Sequence, residues 1–472
     1  FWLKSFSWLK MLSHLGAEAL YLQAEGAQLF RSGSGDPAAA SKNRGGGHGG
    51  WSLQRRFKGF VAQVKGLAAF TTDTKCDEED RLSTSSTCVP SFVRDTDLHH
   101  FHSFADFAEL TEGQFAKVRT MSEAIYGTVD LYNWRGQDTA DDIPVAVKRI
   151  ENRKVAACRK MQPNDRLSHQ RQHSCSEDVL SELGVLSYLA RQREQCMYIA
   201  RMLATFQDDQ QTWLVTEHCE GGELFFLAAQ GPKMNEAYIL RVMQQLLQAV
   251  RHLHRHNVGH RDISLENLLL RQGDLRLIDF GQAVQLQGKC GATMRYFRPC
   301  GKTYCRAPEG RVPRSSRVKA RCPEGCDFAQ GSDAPVMAEV EGYLCEVTFP
   351  ALARPGYDYS VELAGYAAAP LDMWACGICL LAMHLKSTPW REATLLDPGF
   401  RMLLKRGLEP VLQNTGNPLL SPPTLRLLSK LLAINPCDRP DPAAALEELE
   451  QLISAPRSDC ARDEARPAAQ GA

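Results

Sequence analysis

The sequence predicts an α+β fold in which a small β-rich lobe precedes a larger, mostly helical one, and three observations predict it. Runs rich in β-branched residues, Gly127-Thr128-Val129-Asp130-Leu131-Tyr132 and Val145-Ala146-Val147-Lys148-Arg149-Ile150, read as strands. Ile239, Met243, Leu246, Val250 and Leu253 recur at helical spacing, so one face of a long helix can be buried. After His256 the pattern breaks into loops that carry polar chemistry.

The chain has 472 residues, enough for about two to three domains by length. Lys plus Arg and Asp plus Glu balance at 55 each, so no global field points to nucleic acid or an acidic membrane surface, and no nucleic-acid partner is expected. The 16 cysteines lack the regular spacing of a disulfide framework, which predicts a reducing, cytoplasmic setting. The longest apolar run, 373–383, is about half the ~20 residues that cross a bilayer and is read as a buried core helix. Cys376 and Cys379 within it are read as core, and Cys322, Cys326 and Cys345, without a nearby histidine, are not assigned a metal.

Residues 1–109 read as a largely disordered extension, with a Gly- and Ser-rich linker over 31–50 that is too poor in apolar residues to repay ordering. The first fifteen residues place Phe1, Trp2, Phe6, Leu9, Leu12 and Leu15 against Lys4, Ser7, Lys10 and His14. That pattern fits either a packed helix or weak peripheral contact with a membrane. A folded domain is expected over 110–455, with insertions near 151–176 and 311–365, followed by a tail at 456–472. Oligomeric state is not legible.

The chemistry concentrates in His260-Arg261-Asp262-Ile263-Ser264-Leu265-Glu266-Asn267, followed after a short apolar hairpin by Asp279-Phe280-Gly281. Two acids and an amide at this spacing suit phosphoryl transfer from a metal nucleotide: one carboxylate takes a hydroxyl proton, while the amide and the second carboxylate hold magnesium. With Val145-Ala146-Val147-Lys148 upstream and Arg306-Ala307-Pro308-Glu309 downstream, the chain resembles the protein kinase family.

The resemblance implies a two-lobed kinase-like fold, ATP and Mg²⁺ as cofactors, and protein substrates. It makes Asp262 the catalytic aspartate, Asn267 and Asp279 the metal ligands, and Lys148 the lysine that meets the α- and β-phosphates. Lys148 needs a carboxylate to hold it; Glu182 is the choice and Glu177 the competitor. The segment from Trp213 to Leu224 resembles the strand and hinge that join the lobes, with Thr216 at the back of the pocket, backbone groups near Glu217 and Cys219 for adenine, and Val129 and Ala146 beside the nucleotide. Glu309 and Arg439 are implied as a buried ion pair, and Asp372 as the anchor of the catalytic loop.

The chain departs from the family in three places. The phosphate-binding glycine loop reads Ser122-Glu123-Ala124-Ile125-Tyr126-Gly127 and keeps its last glycine alone. The lysine two residues after the catalytic aspartate is replaced by Ser264, while Lys302 stands where a threonine usually contacts that aspartate, so Lys302 is expected as a relocated catalytic cation. Arg261 commonly awaits a phosphate, for which Thr293, Tyr296 and Thr303 are candidate acceptors. Ser264-Leu265-Glu266-Asn267 lacks the Ala-Arg of tyrosine kinases, so Ser or Thr acceptors are expected, and Glu223 and Glu266 suggest a basic-directed substrate motif. The rival reading is a nucleotide-binding scaffold without catalysis, motivated by Ser122, Ala124 and Ser264.

Overall fold

The computed structural model describes residues 92–94, 100–109, 115–125, 127–135, 142–160, 178–288, 291–313, 315, 317–324, 334–413 and 419–454. All of them fall in one unit of the chain, 67–472. The linker at 31–50, the amphipathic first fifteen residues and the tail at 456–472 lie outside the described residues.

A short strand β1 (Phe92–Arg94), a 3₁₀ turn (His100–Phe104) and β2 (Ala108–Glu109) lead into β3 (Phe115–Ala124), β4 (Gly127–Trp134) and β5 (Ile143–Glu151). Helices α1 (Asn152–Lys160) and α2 (Val179–Ala190) precede β6 (Met202–Gln207) and β7 (Gln211–Glu217). The strands form a six-stranded sheet in the order β2-β6-β7-β5-β4-β3, antiparallel except for β2 with β6. Side chains alternate across a strand, so Val145 and Val147 pack with Tyr132 and Val215 on one face while Ala146 and Lys148 share the other. This is the small lobe expected from the two β-branched runs.

The larger lobe holds α3 (Leu224–Gln230) and α4 (Glu236–Arg255), then the short strands β8 (Val258–Gly259), β9 (Leu268–Arg271), β10 (Asp274–Leu277), β11 (Val284–Gln285) and β12 (Thr293–Tyr296). Helix α4 starts where the Asn235 side chain accepts the Tyr238 N–H, and it buries Ile239, Met243, Leu246, Val250 and Leu253 as its spacing predicts.

Residues 311–365, expected as an insertion, are largely a folded sheet. β13 (Arg317–Arg321), β14 (Val336–Val340), β15 (Tyr343–Thr348) and β16 (Asp358–Leu363) make an antiparallel sheet ordered β13-β16-β15-β14. Val318, Ala320, Cys322, Val340, Cys345 and Val347 are among the residues of its own core, so two of the three cysteines considered for a metal are packing residues. Cys326 lies outside the described residues. The sheet is tied to the main body by a buried Arg295–Glu346 ion pair at 2.7 Å and by Arg311 stacked over Tyr343.

After β17 (Tyr366–Ala367) comes α5 (Ala368–Leu385), then α6 (Pro398–Arg406), α7 (Glu409–Gln413), α8 (Pro422–Leu431) and α9 (Pro442–Ser454). Helix α5 is long and apolar enough to cross a membrane, yet it is buried at the centre of this lobe with Trp374, Cys376, Ile378 and Cys379 among its core residues. Helix α9 packs on α4.

The domain begins before the expected residue 110. Phe101 is buried against α2, whose Gly184 is required there because a Cβ would lie 1.9 Å from the Phe101 carbonyl oxygen. β1 pairs in parallel with β12, which pairs on its other side with β17. Of the insertion expected near 151–176, residues 152–160 are helical and 161–177 lie outside the described residues.

Candidate active site

The catalytic loop is held from below by α5. Asp372, fully buried, accepts the backbone N–H groups of His260 at 2.9 Å and Arg261 at 2.7 Å, and pairs with His254 at 3.0 Å. Arg261 takes a left-handed backbone, φ 64°, which a non-glycine residue holds only when its neighbours enforce it. The anchor expected of Asp372 is therefore present.

Asn267 spends its side-chain N–H groups on the Asp262 carbonyl at 2.8 Å and the Asp262 carboxylate at 3.0 Å. Its amide oxygen is the atom left for a hard cation, which suits the magnesium role. The Ile278 N–H donates to the Asn267 carbonyl, bringing the next residue, Asp279, beside this loop. Asp279 also has a left-handed backbone, φ 67°, and Phe280 behind it is fully buried with its ring 4.9 Å from that of His260. Two oxygen-bearing side chains on adjoining segments fit a hard cation, and Asn267 and Asp279 would hold Mg²⁺ here.

On the small lobe Lys148 donates to Glu182 at 2.5 Å, a pair that is largely buried. Glu182 lies in the first turn of α2, where Asp178 caps the helix by accepting from Leu180 N–H. The Asp178 N–H donates to the Gly281 carbonyl at 2.6 Å, and its carboxylate meets His102 at 2.7 Å. The helix carrying Glu182 is thus fastened at one end to the segment that follows Asp279 and to the 3₁₀ turn. Glu177, the competitor, lies outside the described residues.

Val129 is directly opposite Lys148, and Ala146 directly opposite Thr216. Ser122 pairs with Val129 and Ala124 with Gly127, so the degenerate glycine loop is a β-hairpin joining β3 to β4. The retained Gly127 has a reason within the sheet: a Cβ there would come 1.8 Å from the Arg149 carbonyl oxygen. The Glu217 carboxylate is held by Arg271 at 3.0 Å and Arg276 at 3.2 Å, and lines a cavity of about 320 Å³ with Leu189, Met197 and His252. Its backbone, rather than its carboxylate, is what it can offer a nucleotide. Cys219 is buried, and burial, reinforced by Glu217, pushes its thiol up to about 12.

Lys302 lies where the relocated cation was expected. Its backbone N–H donates to the Asp262 carboxylate at 3.1 Å, its Nζ donates to Ser264 Oγ at 2.8 Å, and Nζ is 3.5 Å from Asp262 Oδ2.

One expectation needs correction. Tyr296 is buried and its hydroxyl donates to the Gln285 carbonyl, so it is not an accessible phosphate acceptor; Thr303 is exposed and Thr293 half-buried. Glu266 accepts from the Tyr304 hydroxyl at 2.5 Å through one carboxylate oxygen, and Glu223 stands at the start of α3. Glu309 and Arg439 form the expected pair, bidentate and fully buried. Sequence reasoning missed Asp178, Gln282 and Tyr366, which act through long-range contacts that no local motif announces.

A sequence model of the protein kinase domain matches residues 139–318, beginning after the altered glycine loop and ending where the inserted sheet starts. The serine/threonine-protein kinase KIC1 of Saccharomyces cerevisiae is 37% identical over 134 residues, 28% of this chain and 12% of that protein. CBL-interacting serine/threonine-protein kinase 5 of Arabidopsis thaliana is 28% identical over 225 residues, 48% of this chain and 37% of its own length. CBL-interacting protein kinase 32 of Oryza sativa subsp. japonica is 24% identical over 329 residues, 69% and 56% of the two chains. The matches therefore span between 12% and 56% of these relatives. The two-lobed fold and this site agree with the domain match: residues 139–318 are a protein kinase domain.

Proposed function

We propose that this chain transfers the γ-phosphate of ATP to serine or threonine hydroxyls of protein substrates. The observation that carries the reading is that both halves of the machinery are assembled together: Lys148 on Glu182 in the small lobe, and Asp262 on Asn267 in the large one. Lys148 would hold the α- and β-phosphates, with Val129, Ala146 and Thr216 around the base and the backbone near Glu217 and Cys219 at its edge. Asn267 and Asp279 would hold Mg²⁺, which neutralises charge on the phosphates.

Asp262 orients the acceptor hydroxyl and takes its proton as the oxygen attacks phosphorus. The new P–O bond forms as the bond to the β-phosphate oxygen breaks, and that electron pair leaves with ADP. Glu223 would favour a basic residue in the substrate.

The test is radiolabelled ATP with a mixed peptide library, with Asp262→Asn alongside. Label on Ser and Thr peptides, reduced by about 100-fold or more in the variant, is expected from loss of a positioned base. Undiminished incorporation by Asp262→Asn would refute the mechanism. Nucleotide binding without any transfer would favour the scaffold reading that Ser122 and Ala124 motivate.

A further inference from the structure

The loop that carries Lys302 is built to bring a cation to the reacting centre. Gly301 has φ 70°, and a Cβ on it would lie 2.7 Å from the Arg261 carbonyl oxygen, so only a glycine lets this loop press against the catalytic loop. The Gly301 N–H donates to Gln282 at 2.8 Å, and Arg306 donates to the Cys300 and Gly301 carbonyls at 2.8 and 2.9 Å. The Lys302 carbonyl accepts the N–H groups of Cys305 and Arg306. Every flank of Lys302 is therefore fixed before substrate arrives.

Its ammonium is fixed as well. Ser264, fully buried, bonds to it at 2.8 Å, and the nearer Asp262 oxygen is 3.5 Å away. Burial works against the charge, but the carboxylates of Asp262, Glu266 and Asp279 outweigh it and raise the pKa, so the side chain is a cation throughout the neutral range. An exposed loop lysine would show neither the burial nor the convergence of three acids.

We infer that Lys302 is a catalytic residue, its ammonium binding the oxygens of the phosphoryl group in transfer, with Ser264 as the positioning residue that aims it. The inference rests on the phosphotransfer reading above. In the step already written, the proton passes to Asp262 and the electron pair leaves with ADP. Lys302 stays protonated throughout and exchanges nothing; it stabilises charge on the transferring group from a preorganised position.

The test uses the full chain with two readouts. The first is kcat and KM for ATP in Lys302→Ala, Lys302→Met and the double variant Lys302→Ala/Ser264→Lys. The second is binding of ADP with magnesium and aluminium fluoride, a mimic of the group in transfer, compared with ADP and magnesium alone. Lys302→Ala should lower kcat about 100-fold, as loss of one such donor does, with a smaller change in KM, and should weaken the fluoride complex while sparing ADP. Lys302→Met keeps the buried stem and should show the same losses with an unchanged melting temperature. In the double variant a lysine rooted at 264 reaches into the vacated space, and recovery of at least about tenfold in kcat is expected if charge rather than packing is what matters.

Turnover within threefold of the parent chain in Lys302→Met, or unaltered affinity for the fluoride complex, would overturn the inference. A parent chain that labels no peptide counts against the phosphotransfer reading instead, and the fluoride arm then still reports on Lys302.

Discussion

Arg261 donates to the Tyr366 hydroxyl at 2.9 Å. The same guanidinium donates to the Gln282 carbonyl at 2.7 Å and lies over the Tyr296 ring. Tyr366 in turn donates to the Arg298 carbonyl at 2.6 Å. The arginine that in many kinases is satisfied by a phosphate is here satisfied by a strand residue adjoining the inserted sheet.

Phosphatase treatment of the purified chain is accordingly expected to leave kcat within about twofold, measured with a fixed acceptor peptide. Tyr366→Phe removes the acceptor from a buried charged donor and should cost about 1–3 kcal/mol in urea unfolding. A phosphatase-treated chain that loses most of its activity would contradict this account.

Glu309→Ala strands the Arg439 guanidinium, which also donates to the Ala433 and Pro370 carbonyls. A loss of about 3–5 kcal/mol is expected from breaking a buried pair on one side. Replacing both partners together with apolar residues should cost less than the sum of the single changes, because no charge is left buried. Equilibrium unfolding of the three variants measures this directly.

Gly184→Ala places a methyl group against the Phe101 carbonyl. Either the 3₁₀ turn or α2 must move, at about 1–3 kcal/mol for an overpacked site. Since Glu182 is carried on the same helix, kcat should fall along with stability, and a nucleotide titration should show weaker ATP binding through the disturbed Lys148 pair. A variant matching the parent in both would show that the turn does not brace α2.

Burial pushes the thiols of Cys219 and Cys345 from the usual cysteine range up to about 12. Raised acids favour the folded state only while both states are protonated. Their contribution is whole below about pH 9 and is lost as pH climbs from there towards about 12. The urea midpoint should therefore drop between pH 8 and pH 10.5, and drop less in Cys219→Ala/Cys345→Ala. At pH 8.5 Cys219 should resist iodoacetamide until the protein is unfolded, as peptide mass mapping would show.

The parts of the site that were legible from sequence are those in which chemistry and local order coincide. Asp262, Asn267 and Asp279 occupy one loop and the next, and Lys148 ends a strand whose alternation fixes its face. Glu182 was reachable because a charged residue in an apolar helix needs a reason to be there. Tyr366 and Asp178 were not, since each matters through a contact a hundred or so residues away, to Arg261 and Gly281. The inserted sheet did leave a trace, because Val318 and Ala320 alternate with Arg317, Lys319 and Arg321. Arg317 and Lys319 are the exposed members of that alternation, and period two marks a half-buried strand. The start of the domain was missed for the same reason as Tyr366: nothing in His100–Phe104 announces that α2 has a glycine waiting for it.

Strand β12 has β1, from near the start of the described chain, on one side and β17, from beyond the insertion, on the other. Neither neighbour is local, so the loop-closure entropy of both must be met before this segment can settle. During synthesis β12 must wait for residues 366–367 before its second edge is covered. A chain cut short ahead of that point leaves one edge of β12 bare, and an open strand edge invites pairing with other chains.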